Sequence, residues 1–239
     1  MIHPLHYCPS CGSDHVSWRV PADDNRERHV CDACGEIHYQ NPRNVAGCIC
    51  EHEGRILLCR RAIEPRLGYW TVPAGFMENH ETLAEAAARE TEEEARAATA
   101  DLALYAVFNL PHISQVYVMF RAAVPDGRAG AGPESLEVAW FREAELPWDE
   151  LAFPVVRESL RWYLGDRGAG RFPVRMGDIL RLRGGGYRVN LHGAGDAAGP
   201  RARASPTRSG RPVVYSLLCR RRVASERGAA VPRCYGRAT

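Results

Sequence analysis

The sequence predicts a mixed α/β (α+β) sandwich that follows a small metal-binding module and precedes a long polar tail. Strand-like runs surround a helix pattern in the middle of the chain, two Cys-x-x-Cys pairs lie near the N-terminus, and Gly, Arg, Pro and Ser dominate the end. We therefore divide the chain into a metal-binding module at 1–40, a folded domain at 41–165 and an Arg/Gly-rich tail at 166–239, which we expect to be disordered.

The folded domain carries the patterns that justify this fold class. Apolar runs bounded by turn residues predict strands at 44–50, 55–61, 68–75, 102–110, 113–124 and 138–141. Apolar residues at helical spacing predict an amphipathic helix over 81–95 and a closing helix over 153–164. Strands around one helix, with a second helix at the end, favour a layered sandwich. In the tail, 174–182 and 212–219 could each form a short element, but nothing around them offers a core.

Composition and charge limit the class of protein. The chain has 239 residues, of which 45% are hydrophobic and 25% charged, as in an ordinary globular protein. The net charge of +2 is a cancellation, because residues 1–165 carry −10 and residues 166–239 carry +12. No run approaches the ~18 apolar residues of a membrane helix, and the N-terminus lacks the basic-then-apolar pattern of a secretory signal. We expect a cytoplasmic protein with no membrane partner.

The two Cys-x-x-Cys pairs predict a zinc site. Four of the nine cysteines form them, Cys8 with Cys11 and Cys31 with Cys34, and each pair is followed by a glycine that permits a tight turn. Four thiolates at this spacing fit tetrahedral Zn²⁺, and an iron–sulfur or redox site is the alternative. A closed shell of four thiolates makes the zinc structural, so we expect a zinc ribbon that the metal holds folded.

The predicted helix over 81–95 carries more carboxylates than stability alone would favour. Like charges four residues apart on a helix repel by roughly 0.2–0.5 kcal/mol per pair. Glu90, Glu93 and Glu94 lie at i, i+3 and i+4, so they share one face. Carboxylate oxygens suit Mg²⁺ or Mn²⁺, which relieves the repulsion and usually also binds substrate phosphates. We predict a divalent-cation site for a phosphate-bearing substrate, with a merely solvated acidic face as the alternative.

Three further positions support this face. Arg89 is a cation that orients the carboxylates, and its salt bridge with Glu81, eight residues earlier, requires Glu81 at the start of the helix. Gly75 lets the preceding loop approach closely and places the Ala74 carbonyl near the metal.

The spacing of these residues resembles the signature of the Nudix hydrolases, G-x5-E-x7-R-E-U-x-E-E-x-G-U. Every charged position of the signature is matched, and so is its first glycine, Gly75. Two positions depart from it. Thr91 stands where an aliphatic residue is usual, and Arg96 stands where a glycine usually ends the helix in a left-handed turn. Arg96 either strains that turn by ~1–2 kcal/mol or lets the helix run further, where its charge favours the C-terminal dipole.

The resemblance covers residues 1–165 and implies a Nudix α/β/α sandwich with an N-terminal zinc ribbon. Members of this branch hydrolyse the pyrophosphate bond of a nucleoside diphosphate linked to another group. Mg²⁺ or Mn²⁺ neutralises the developing charge and a carboxylate activates water. The likeness implies Glu90 and Glu94 as metal ligands and Glu93 as a ligand or the general base. It also implies a further carboxylate from a loop, Glu137 or its neighbour Glu134, and a homodimer.

The expected substrate follows from one stretch of sequence. Residues 109–120, NLPHISQVYVMF, resemble the ADP-ribose- and FAD-hydrolysing members and lack the SQPWPFP-like run of NADH pyrophosphatases. We expect ADP-ribose or FAD, giving AMP and a phosphorylated product, with NADH as the alternative. Four aromatic residues could stack on an adenine or flavin ring, although strand aromatics often belong to the core. They are Tyr69, Trp70, Phe76 and Phe108.

Two hypotheses from other classes remain open. In the first, the domain is a nucleotide sensor whose ribbon and Arg-rich tail contact nucleic acid. It lacks a recognisable DNA-reading helix and has an acidic body, so we do not expect nucleic acid as a partner. In the second, the chain is a purely structural zinc protein, which leaves the acidic helix unexplained.

Overall fold

The computed structural model describes residues 4–192, which lie within one compact unit at 1–197. The N-terminal ribbon is a small antiparallel sheet of β1 (Val16–Arg19), β2 (Arg28–Cys31) and β3 (Ile37–His38). Its buried apolar residues are few, namely Cys8, Pro21, Val30 and Cys31. So small a core explains why this segment depends on a metal rather than on hydrophobic burial.

The folded domain is built on one mixed sheet, which has nine strands within the described residues. Its elements are β4 (Arg43–His52), β5 (Arg55–Arg61), β6 (Trp70–Thr71), β7 (Ala74–Phe76), α1 (Leu83–Ala95), β8 (Ala100–Leu110), β9 (Gln115–Ala123), β10 (Ser135–Phe141), α2 (Pro154–Ala169), β11 (Arg175–Arg181) and β12 (Tyr187–His192). The strand order is β10-β5-β4-β9-β8-β11-β12, with β6 paired to β5 and β7 to β4. The β4–β9 and β8–β11 pairs are parallel.

One helix covers each face of this sheet, as predicted. Val155 and Leu160 of α2 pack into the core on one face. Ala86 and Ala87 of α1 pack into the core on the other. Because alanine side chains are short, the backbone of α1 lies close to the sheet, and the acidic residues beside these alanines are held near it. Neither of these helices is long and apolar enough to cross a membrane, and that holds for every helix in residues 4–192.

A capping box begins α1. The side chain of Thr82 accepts the Glu85 N–H at 3.2 Å, and the Glu85 carboxylate accepts the Thr82 N–H at 2.7 Å. These bonds satisfy amides that the first turn would otherwise leave unpaired. Glu85 is therefore a capping residue, and the helix begins two residues later than the pattern predicted.

The other end of α1 confirms the first alternative for Arg96. Arg96 ends the helix in the left-handed conformation, at φ 50° and ψ 35°, and donates its N–H to the Glu92 carbonyl. A loop then covers the last carbonyls, with Gly130 donating to Ala95 at 2.8 Å and Gly132 to Glu94 at 3.1 Å. A Cβ on Gly132 would lie 1.7 Å from a backbone oxygen, so only glycine permits this approach.

The expectation of a disordered tail from residue 166 onward is wrong for 166–192. The second helix runs on to Ala169, and β11 and β12 form a hairpin that extends the sheet beyond β8. Asp166 fixes this hairpin because its carboxylate accepts hydrogen bonds from Tyr105 and Arg175. The sequence did not reveal what the hairpin packs against. It pairs with the edge strand β8, and Ile179 of β11 is fully buried there. The segment at 212–219 and the rest of the tail lie outside the described residues.

We expect Arg96→Gly to raise the free energy of unfolding by about 1 kcal/mol, because glycine adopts the left-handed conformation without the steric cost. Denaturant unfolding of the two proteins measures this difference. Arg96→Ala is the matched control, since alanine keeps the Cβ and should give no such gain. An equal gain in both variants would place the effect in the lost charge instead.

Replacing Asp166 tests the hairpin that extends the sheet. We expect Asp166→Asn to lower the free energy of unfolding by about 2 kcal/mol, because it weakens hydrogen bonds to a buried charge. Glu158→Gln on the same helix removes only a surface ion pair with Arg161 and should change it by less than about 0.5 kcal/mol.

Acidification gives a second readout for this variant. The hydrogen bonds from Arg175 hold the pKa of Asp166 below its usual 3.8. Its contribution is therefore complete above pH about 4 and lost as the pH falls through the lowered pKa. The difference between wild type and Asp166→Asn should shrink in that range.

Candidate active site

The four cysteines of the ribbon form a site of the size that zinc requires. Their sulfur atoms all lie within 4.8 Å of one another, with 3.7 Å between Cys8 and Cys34 and 3.6 Å between Cys11 and Cys31. Zn–S bonds of about 2.3 Å in a tetrahedron give sulfur–sulfur edges of about 3.8 Å, so the donor set fits structural zinc. His38 Nε2 lies 3.3 Å from the Cys8 sulfur and flanks this cluster.

One side of the acidic site is strand β7, which has a glycine, Gly75, at the position where a side chain would collide with Glu90. Gly75 on β7 pairs with Ala46 on β4. A Cβ on Gly75 would lie 2.2 Å from the carboxylate of Glu90, which therefore rests directly on the strand backbone. The predicted close approach at Gly75 is present, and the group that approaches is Glu90.

Glu94 is the most buried carboxylate of α1, with 7% of its surface exposed. The Ala74 N–H donates to its Oε2 at 3.1 Å, so Ala74 orients this side chain through its amide. Burial raises the pKa of Glu94 to about 7, although the Ala74 bond acts against that rise. A desolvated carboxylate held in this way gains from a nearby cation more than an exposed one does.

Arg89 connects the carboxylates on both sides of the turn before α1. It donates to Glu81 through Nη2 at 2.9 Å and Nε at 3.0 Å, and to Glu90 and Glu93 at 2.9 Å each. A further bond reaches the Phe76 carbonyl at 3.1 Å. The hydrogen bonds from Arg89 lower the pKa of Glu81 to about 2. Glu81 lies just before the helix, which is the position that its predicted salt bridge required.

The three predicted metal-site carboxylates form an open arrangement. Glu90 and Glu94 face β7, whereas Glu93 is exposed and turned toward Arg89. Among the His, Cys, Asp and Glu side chains of residues 4–192, the four cysteines are the one group of three or more whose ligand atoms all lie within 4.8 Å of one another. The three glutamates are therefore farther apart than the cysteines. An open set of oxygen donors fits Mg²⁺ or Mn²⁺, which completes its shell with water and phosphate oxygens.

The structure separates the two loop carboxylates. Glu137 lies on β10, is exposed and pairs with Arg60 at 3.6 Å. Burial is the main cause that raises the pKa of Glu90 and of Glu94, and the charge of Glu134 adds a smaller rise to both, which places its side chain in their surroundings. Of the two, Glu134 is the one that the fold brings to the acidic site.

The structure places two of the four aromatic residues in the core and two at the surface. Phe108 is fully buried and stacks on Trp162, with ring centres 4.6 Å apart. Trp70 is buried against Phe141. Both therefore belong to the core. Tyr69 and Phe76 are exposed, and each lies under a guanidinium group.

Sequence reasoning missed the arginines around this acidic site. Arg43 lies over the ring of Phe76 at 5.3 Å, next to Gly75 on β7. Arg61 lies over Phe153 at 5.2 Å. Burial raises the pKa of Glu94 and of Tyr117, and the charge of Arg61 acts against both rises. Neither arginine has a spacing relation to the acidic helix, because the sheet alone brings them to it.

Comparison with known proteins decides the family. The profile of the NUDIX domain matches residues 40–163, just over half of the chain, and the Nudix N-terminal zinc-ribbon profile matches residues 6–40. The chain belongs to the Nudix family. Among solved structures, the Nudix hydrolase from Nitrosomonas europaea is 48% identical to this Nudix chain, with a TM-score of 0.71 over 74% of this chain and 100% of that one.

Two relatives carry more specific names. A NAD-capped RNA hydrolase, NudC, of Photobacterium profundum is 33% identical over 151 residues, which are 62% of this Nudix chain and 53% of that protein. An ADP-ribose pyrophosphatase of Methanocaldococcus jannaschii is 30% identical over 136 residues, 53% of this chain and 78% of that one. This chain therefore spans about half the length of the first relative.

We expect Gly75→Ala to weaken Mn²⁺ binding at least tenfold, because the added methyl group would occupy the position of the Glu90 carboxylate. Electron paramagnetic resonance of free Mn²⁺ measures the binding. Gly165→Ala is the control, since a Cβ there meets open space on α2. Unchanged Mn²⁺ binding in Gly75→Ala would mean that Glu90 is not a ligand.

Proposed function

We propose that this Nudix protein hydrolyses the pyrophosphate bond of a nucleoside diphosphate linked to another group, with ADP-ribose or FAD as the preferred substrate and AMP as one product. The proposal rests on one observation: the carboxylates of Glu90 and Glu94 both lie against strand β7, at Gly75 and Ala74. Two carboxylates held there, one of them almost fully buried, form a site for a divalent cation rather than a solvated acidic face.

Each residue of the site has a role in this reaction. Glu90 and Glu94 hold Mg²⁺ or Mn²⁺, which when bound neutralises charge on the pyrophosphate oxygens. Arg89 keeps Glu90 in place and, through Glu81, ties the helix to the turn before it. Glu93 is a further ligand or the general base, since it is exposed and lies beside Arg89.

The exposed aromatic residues support a substrate with a ring system. Phe76 and Tyr69 each present a ring backed by an arginine, which suits an adenine or flavin base. The pyrophosphatase relative named for ADP-ribose supports that substrate. NADH is the second candidate substrate. Because one relative is named as a NAD-capped RNA hydrolase, RNA that carries a NAD cap is a related substrate to test.

The decisive measurement is AMP release, by chromatography, from ADP-ribose, FAD and NADH with Mg²⁺ or Mn²⁺. We expect Glu94→Gln to lower the rate at least about a hundredfold while the thermal midpoint is kept, because the amide cannot supply the charge that the metal requires. Glu92→Gln is the control on the exposed side of the same helix. The proposal fails if wild-type protein cleaves none of these substrates with either metal.

The loop carboxylate can be assigned in the same assay. We expect Glu134→Gln to lower kcat at least about tenfold, because the Glu134 charge acts on the buried Glu94 and on the half-buried Glu90. Glu137→Gln should change kcat less than about twofold, since its partner is Arg60. The reverse order would restore Glu137 to the role that the sequence resemblance implied.

A further inference from the structure

Three tyrosines pack into the core under α2, and they differ in what their hydroxyl groups bind. Tyr105 donates to the carboxylate of Asp166 at 2.6 Å, and Tyr163 donates to the carboxylate of Glu51. Tyr117 packs against the same core, yet its hydroxyl has no hydrogen-bond partner within residues 4–192. Its oxygen is also not among the polar atoms that are buried there without a partner. The Tyr117 hydroxyl is therefore open to an incoming ligand.

Strand pairing sets Tyr117 beside the part of the sheet that carries the acidic site. Tyr117 on β9 pairs with Val45 on β4, and Val45 pairs in turn with Phe76 on β7. Paired residues of neighbouring strands project to the same face of a sheet, and neighbouring strands lie about 4.8 Å apart. The Cα atoms of Tyr117 and Phe76 are therefore about 10 Å apart, in one row across the sheet.

Arg61 relates this hydroxyl to the acidic site. Burial raises the pKa of Glu94 and of Tyr117, and the charge of Arg61 acts against both rises, so the guanidinium lies near both groups. Its Nε donates to the Pro65 carbonyl at 2.9 Å, and within residues 4–192 Arg61 has no carboxylate within ion-pair distance. An unneutralised cation beside a free hydroxyl is an arrangement that attracts an anion.

The hydroxyl is suited to donate rather than to accept. Because burial raises the pKa of Tyr117 above its usual 10, the group keeps its proton at neutral pH. A phenylalanine would fill the same space in the core, so packing alone does not account for the oxygen. The oxygens of a pyrophosphate are the anionic acceptors that the acidic site implies.

We propose that the Tyr117 hydroxyl donates a hydrogen bond to a pyrophosphate oxygen of the substrate that the cation at Glu90 and Glu94 does not hold. This inference rests on the proposed function and adds Tyr117 to the residues that bind its substrate. Arg61 supplies positive charge at the same place. The interaction is made with bound substrate, so it contributes to affinity more than to the rate of the chemical step.

Steady-state kinetics of Tyr117→Phe test the inference on whichever of ADP-ribose, FAD and NADH the wild type cleaves best. We expect KM to rise about tenfold, the usual loss for a hydrogen bond to a charged group, while kcat changes less than about threefold. The thermal midpoint should be kept, since the ring remains. Tyr187→Phe, which removes the hydroxyl of an exposed tyrosine on β12, is the matched control and should leave both constants unchanged.

A binding measurement separates this inference from the proposed function. Calorimetry with Mg²⁺ and α,β-methylene-ADP uses a nucleoside diphosphate whose P–C–P bridge cannot be hydrolysed. We expect Tyr117→Phe to bind this analogue about tenfold more weakly than wild type. If wild type shows that dependence but cleaves none of the three substrates, the proposed function fails and this inference stands. If Tyr117→Phe binds the analogue as wild type does, this inference is overturned, whatever the rate of hydrolysis.

Discussion

The acidic site depends on one cation. Arg89 bonds to Glu81 before the helix, to Glu90 and Glu93 on it, and to the backbone at Phe76. Without it, the carboxylates would repel one another and strand β7, which carries Gly75, would have one fewer hydrogen bond to the helix. A positive charge that several carboxylates share lets them remain close in the folded protein, and Arg89 makes no such bond with Glu94.

Sequence reasoning reached the parts of this site that a single helix or a fixed spacing determines. The offsets from Gly75 to Glu94 place the acidic face, and the Cys-x-x-Cys pairs place the zinc. The place of Arg89 beside the acidic face, eight residues after Glu81, also predicted it as the orienting group. These features follow from local geometry, which is why a pattern in one chain is enough to find them.

What the sequence could not reveal depends on contacts across the sheet. The roles of Glu134, Arg43 and Arg61 arise because β4, β5 and β10 bring distant segments together. Phe108 and Tyr69 belong to similar aromatic strand patterns, yet one is in the core and the other at the surface. The hairpin at 175–192 was missed for the same reason, since its core is an edge of the sheet that exists only after the domain has folded.

The loop that covers the end of α1 has a consequence for how the site keeps its dimensions. Gly130 and Gly132 bond to the carbonyls of Ala95 and Glu94, and Glu134 follows only two residues later. Glu134 itself is tied to the sheet, because its carbonyl accepts the Ala62 N–H at 2.8 Å just after β5 and β10 begins at the next residue. The loop acid thus sits where the last turn of α1 and the β5–β10 edge are fastened to each other, so a change in either anchor alters its distance from Glu94.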